Sequence, residues 1–127
     1  MSARRPKVIV IGSVNLDLAA RVERLPVPGE TITGAELRRF PGGKGANQAL
    51  AARRLGADVT LIARVGRDAA ADEALALLRG DDVDLSLCAA DEFAPTGIAL
   101  ISVAPTGENH IVVAPGANRT LEPEMLD

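Results

Sequence analysis

Phe40-Pro41-Gly42-Gly43-Lys44-Gly45-Ala46-Asn47-Gln48 is the stretch on which the rest of the 127-residue chain is organised. Glycines at 42, 43 and 45 can open a strand-to-helix junction with almost no side-chain bulk. An alanine-rich run, Ala49 to Leu55, follows at once, and Gly56 can end it. The glycines therefore sit at a helix N-terminus, where free backbone N–H groups and the helix dipole favour electron-rich ligands. Lys44 opposes that dipole, so its charge is expected to serve something outside the helix. The stretch reads as the floor of a polar ligand site. Two other glycine-loop readings fail on spacing. A phosphate-cradling loop needs Gly, four residues, then Gly-Lys-Ser/Thr, but position 38 is Arg and Lys44 is followed by Gly45. A dinucleotide fingerprint needs a third glycine where this chain has Gln48.

Upstream, Lys7 to Ile11 is a short β-branched run ending at Gly12, expected as a strand apolar on both faces within a buried parallel sheet. Ser13-Val14-Asn15-Leu16-Asp17 follows. In an extended chain Asn15 and Asp17 point to one face, Val14 and Leu16 to the other. An amide and a carboxylate side by side can grip vicinal hydroxyls, because the amide donates and accepts while the carboxylate accepts. The carboxyl end of a sheet strand is also where open α/β sheets bind ligands.

Leu18 to Val22 is expected to continue extended, Leu25 to Gly29 to turn, and Thr31 to Phe40 to form a further strand. Arg21, Glu23, Arg38 and Arg39 read as a solvated face. Downstream, Lys44 to Leu55 is predicted as the first helix and Asp58 to Val65 as a strand. A second helix is N-capped by Asp68, with Ala71, Ala74, Leu75 and Leu78 on one apolar stripe and Gly80 at its stop. Asp68 and Asp72 are explained by cap and solvent, and no metal site is expected. Val83 to Cys88 reads as a short strand. Thr96 to Val103 and Asn109 to Val113 read as a hairpin able to pair with the earlier extended segments. His110, the single histidine, reads as an exposed position on it. Pro115 to Asn118 is a turn, and Glu122 to Asp127 the first turns of a helix. Strand–helix–strand–helix order argues for a parallel α/β core, and the two extended excursions for a β appendage.

Composition narrows the partners. The chain is 47% hydrophobic and 24% charged with a net charge of −3, and its charges are scattered. That gives no support for nucleic-acid or anionic-membrane binding. With Phe40 and Phe93 as the only aromatics, base-stacking platforms are not expected. A single cysteine, Cys88, excludes an internal disulfide framework and reads as a buried small side chain. The basic start, Met1 to Pro6, lacks a signal-like core, no run reaches transmembrane length, and a cytoplasmic location is expected.

Taken together, Gly12 to Asp17, Pro28-Gly29-Glu30-Thr31, Gly42 to Ala49, Thr96-Gly97, Gly107-Glu108-Asn109 and Gly116-Ala117-Asn118 closely resemble the ribokinase family, within the PfkB group of sugar and nucleoside kinases. The resemblance runs nearly end to end but covers only the amino-terminal part of the family's longer chain. It implies an α/β, Rossmann-like ribokinase fold truncated at the C-terminus: a parallel sheet flanked by helices, with a small β-sheet lid from segments at about 16–40 and 96–114 of one kinase domain spanning 1–127. It implies that Asn15, Leu16 and Asp17 and then Gly43, Lys44, Gly45, Ala46 and Asn47 line a D-ribose site. It implies ATP-dependent phosphorylation of D-ribose to D-ribose 5-phosphate, with Mg²⁺, a monovalent cation such as K⁺, and a homodimer through the lid. The family's catalytic base lies in a Gly-Ala-Gly-Asp motif that these residues lack, so no catalytic residue and no ATP or metal ligand is expected among them. The 127 residues alone are expected to be inactive. Two positions depart from the family pattern: Ala71 where Gly is usual after Gly66-Arg67-Asp68, and Glu122 where Ser is common before Pro. Both touch helix starts. A kinase for another sugar or nucleoside of the group, such as fructose or adenosine, and a non-catalytic sugar-binding module stay open as alternatives.

Overall fold

The structure, a computed structural model, describes residues 4–126; the first three residues of the basic start, and Asp127 of the expected terminal helix, lie outside the described residues. Two sheets share one core. In the first, β1 (Lys7–Ile11), β4 (Asp58–Gly66) and β5 (Cys88–Asp91) run parallel in the order β1-β4-β5. In the second, β2 (Asn15–Arg21) lies parallel to β6 (Gly97–Val103). It is flanked by antiparallel β3 (Glu36–Gly42) on one side, and β6 by antiparallel β7 (Asn109–Ala114) on the other, giving the order β3-β2-β6-β7. The hairpin thus pairs with the early extended strands, as their alternation suggested. The fold is α/β, as expected.

Helix α1 (Lys44–Arg54) and helix α2 (Ala69–Gly80) supply the apolar cover. Each contributes a stripe of small or branched side chains, Ala46 and Ala49 from α1 and Ala71, Ala74, Leu75 and Leu78 from α2. They meet the buried side of β4, where Val59, Leu61, Ala63 and Val65 recur at every second position, as strand geometry requires. Asp68 caps α2 through its side chain, accepting from the Ala71 N–H at 3.0 Å.

Several expectations need correction. β1 is covered on one face only: Val10 is buried, whereas Ile9 and Ile11 are 67% and 53% exposed. The third strand starts at Glu36 rather than Thr31 and runs on to Gly42. Val83 to Cys88 does not form a strand. The Asp84 carboxylate turns back to accept the Ser86 N–H at 2.9 Å, an Asx turn that ends pairing after a single Thr60–Asp84 bridge. Strand β5 begins only at Cys88. Helix α2 does stop at Gly80, and the left-handed residue that follows is Asp82, at φ 61°. Residues Gly116–Thr120 and Pro123–Leu126 form 3₁₀ turns rather than a plain turn and a helix start. Cys88 is half-buried, and burial pushes its thiol up to about 11, so it is inert. His110 is exposed.

Candidate functional site

The first turn of α1 is locked to the end of β1 by backbone contact. Gly45 crosses Gly12 so closely that a Cβ on Gly45 would meet the Gly12 carbonyl carbon at 2.6 Å. The Ala46 N–H donates to the Ser13 carbonyl at 3.0 Å. Gly43 enters the helix at φ 92°, a conformation L side chains rarely adopt, and a Cβ there would lie 2.6 Å from the Ser13 oxygen. The glycines are therefore explained by close approach. Gly45 and Ala46 are buried, whereas Lys44 and Asn47 are exposed. Among the described residues neither Lys44 nor Asn47 makes a side-chain hydrogen bond.

Strand β2 leaves β1 through Gly12–Val14 and places its alternate residues as the sequence pattern required. Val14 and Leu16 are 0% and 1% exposed in the core. Asn15 and Asp17 share the opposite face and are half-buried. Leu16 is thus the spacer that seats the polar pair. Asn15 lies in register between Gly42 and Gly97, and Asp17 between Phe40 and Ala99. The Asp17 carboxylate leans over Gly42, where any Cβ would strike it. Asp17 has no cation or hydrogen-bond donor among the described residues. Burial alone pushes its carboxyl above the ordinary value of 3.8. A partly desolvated carboxylate without a protein donor can accept hydrogen bonds from hydroxyl groups.

Two features escape a reading by neighbours in sequence. Asn118, from the 3₁₀ turn after β7, reaches Val14 and Asn15 across a separation of more than 100 residues. Its Oδ1 accepts the Val14 N–H at 2.9 Å, and its Nδ2 donates to the Val14 carbonyl at 3.1 Å and to Asn15 Oδ1 at 2.8 Å. The Gly116-Ala117-Asn118 motif is visible in the sequence, but nothing local indicates what the amide touches. Asp68 likewise does more than cap α2. It accepts the Thr96 N–H at 2.9 Å and the Thr96 hydroxyl at 2.6 Å, while Thr96 Oγ1 accepts the Gly66 N–H at 2.9 Å. Against the cost of burial, those donors hold the Asp68 carboxyl below its ordinary value. This knot ties β4, α2 and β6 together one residue before Gly97.

No cluster of three or more potential metal ligands occurs among the described residues. No described helix is long and apolar enough to cross a membrane. An open cavity of about 670 Å³ lies at the far end of the second sheet from Asn15, between Arg21–Glu23, Ile32–Glu36 and Val103–Gly107.

Comparison with known proteins bears on this arrangement. Residues 5–127 match the family model described as pfkB family carbohydrate kinase. The ribokinase of Staphylococcus aureus (strain COL) is 44% identical over 119 residues, which cover 93% of this chain and 39% of that protein. The structure of ribokinase from Giardia lamblia superposes with a TM-score of 0.86 at 36% identity, covering 97% of this chain and 37% of that one. Arabidopsis thaliana ribokinase, solved in complex with ribose and ATP, gives a TM-score of 0.80 at 36% identity over 91% of this chain and 38% of its own. The chain thus spans well under half the length of these relatives.

Proposed function

The chain belongs to the pfkB family of carbohydrate kinases, and on that premise we propose that it carries the sugar-holding wall of an ATP-dependent kinase whose substrate is D-ribose and whose product is D-ribose 5-phosphate. The observation that carries the proposal is Asp17: a half-buried carboxylate with no protein partner among the described residues, beside Asn15 at the start of β2. In this reading Asp17 accepts from two sugar hydroxyls, and Asn15 meets a neighbouring one. Gly43, with Lys44 and Asn47 at the start of α1, forms the adjoining wall. Leu16, Gly45 and Ala46 act through the backbone geometry they hold. Segments 16–40 and 96–114 form a lid over the sugar, within the amino-terminal part of one kinase domain, and the lids of two copies meet in a homodimer. Solved relatives support ribose and adenine nucleotides as the ligand classes, since the Arabidopsis thaliana ribokinase holds ribose and ATP and that of Cryptococcus neoformans holds ADP.

No nucleotide or metal ligand is assigned to the residues present. The Ala46 N–H in the first turn of α1 is taken by the Ser13 carbonyl at 3.0 Å, so that turn offers one donor fewer to a phosphate. With no group of metal ligands among the described residues, ATP, Mg²⁺ and K⁺ are assigned to other parts of the whole protein, and the phosphoryl transfer with them.

Calorimetric titration of the chain with D-ribose, 2-deoxy-D-ribose and ATP tests the reading. Ribose binding without ATP binding is expected. Asp17→Ala should weaken ribose binding by roughly tenfold to a hundredfold, the value of charge-assisted hydrogen bonds. Unchanged ribose affinity in that variant would sink the site assignment. Equal affinity for 2-deoxyribose would remove the vicinal-hydroxyl argument and favour another substrate of the family.

A further inference from the structure

Asn118 sits at the centre of three hydrogen bonds that determine how its amide must lie. The atom facing the Val14 N–H has to accept, and the atom facing both the Val14 carbonyl and Asn15 Oδ1 has to donate. Turning the amide over would set a donor against a donor and an acceptor against two acceptors. Both N–H bonds of Asn118 are consumed in this arrangement.

That arrangement constrains Asn15 in turn. With its Oδ1 turned to Asn118 at 2.8 Å, Asn15 must carry its Nδ2 on the side away from Asn118, and Nδ2 has no partner among the described residues. Gly97 beneath the pair is required for the contact, since a Cβ at 97 would land on both Asn118 Nδ2 and Asn15 Oδ1. We propose that Asn118 is a positioning residue that turns the Nδ2 donor of Asn15 toward the ligand, so that the site presents a donor at Asn15 and an acceptor at Asp17. The inference rests on the sugar-site reading above. It adds a chemical demand to it: the ligand hydroxyl at Asn15 accepts, while those at Asp17 donate. The knot of Asp68, Thr96 and Gly66 fixes the start of β6 and so keeps Gly97 under the amide pair.

Side-chain hydrogen exchange of the ¹⁵N-labelled chain tests this without any ligand. In the unaltered chain the Nδ2 protons of Asn118 should be protected and those of Asn15 should exchange freely; the reverse pattern would overturn the proposal. Asn118→Asp is the decisive variant, because it keeps an acceptor for the Val14 N–H and removes both donors. The new carboxylate should draw the Asn15 amide round, slowing exchange of its Nδ2 protons by about tenfold or more, as for a hydrogen bond to a charged group. The Val14 N–H should stay protected. An Asn15 amide whose exchange is unchanged, with Val14 still protected, would reduce Asn118 to a structural tether and refute the assignment. Should the variant fail to fold, the wild-type exchange pattern still decides. D-Ribose titration forms a separate arm. Where the wild type binds, Asn118→Asp should weaken binding about tenfold, and undiminished affinity with Asn15 turned inward would overturn the donor role. A wild type that does not bind ribose counts against the sugar reading alone, since the exchange pattern stands apart from it.

Discussion

Asp17 and Asp91 are carboxylates of opposite thermodynamic sign, and the contrast separates a carboxylate without a protein partner from one held by the fold. Asp91 accepts the Ala94 N–H at 2.6 Å, the Phe93 N–H at 2.9 Å and Arg64 Nη2 at 3.0 Å, which together hold its carboxyl down at about 2. A folded value below the unfolded one means the unfolded chain binds the proton more tightly. The stabilisation is therefore complete above 3.8 and is lost as the pH falls toward about 2. Asp17 behaves in reverse. Burial raises its carboxyl, so the folded state binds the proton more tightly and stability declines as the pH rises through 3.8 and beyond. Urea unfolding across pH should place Asp91→Asn below wild type at neutral pH, with the gap narrowing on acidification. Asp17→Asn should lie above wild type at neutral pH, with its advantage fading below 3.8. An Asp17→Asn variant less stable than wild type at neutral pH would mean that the carboxylate has a structural partner after all. The alternation of Asn15 and Asp17 is legible in five residues of sequence, because a period of two is a local property. The orientation of Asn15 is not, because it depends on an amide that chain folding brings from position 118.

At the scale of elements, the docking of α1 on β1 depends on a contact with no room for a side chain. Alanine is a better helix former than glycine by about 1 kcal/mol, so Gly45→Ala would be stabilising on propensity alone. The contact reverses that sign. The obstructing atoms are the Gly12 backbone at 2.6–2.7 Å, which cannot swing aside as a flexible side chain would. Overpacking of this kind costs typically about 1–3 kcal/mol, and net destabilisation is expected. Gly80 is the control: it ends α2, its φ is negative, and nothing lies within 4 Å of the position of an added Cβ. Gly80→Ala should gain about 0.5–1 kcal/mol. Denaturant midpoints measured on both variants check the pair, and equal shifts of one sign would refute the account of the loop as a packing device. Helices α1 and α2 are readable because apolar spacing, the glycines before α1 and the Asp68 cap of α2 are written in adjacent residues. The true conformation of Val83 to Cys88 is not, because the Asp84 side chain competes for the backbone and apolar residues on either side conceal it.

For the whole molecule, two sheet-edge strands leave apolar side chains uncovered. β1 pairs on one side only, with β4, and shows Ile9 and Ile11 to solvent. β7 pairs only with β6 and is exposed along its length, with Val112 at 63% and Ile111 and Val113 above half. Both strands are β-branched, and neither carries the charge or proline that blunts a sheet edge, apart from Lys7 at the start of β1. If the second sheet meets its copy in a closed homodimer, β7 and its neighbours are satisfied in a species of fixed size. The β1 edge can likewise pair antiparallel with its own copy about a two-fold axis. Two separate self-complementary edges on one chain link dimers onward without closing. Sedimentation velocity over a concentration series should therefore resolve a discrete dimer together with a growing heavy fraction. Ile9→Lys with Ile11→Lys, both outward-facing positions on an edge strand, should remove the heavy fraction and leave the dimer. Val112→Lys should also remove the heavy fraction, and all three substitutions together should leave a monomer. A heavy fraction that persists in the β1 variant would place the sticking surface elsewhere, and a dimer that survives the triple substitution would detach dimerisation from both edges.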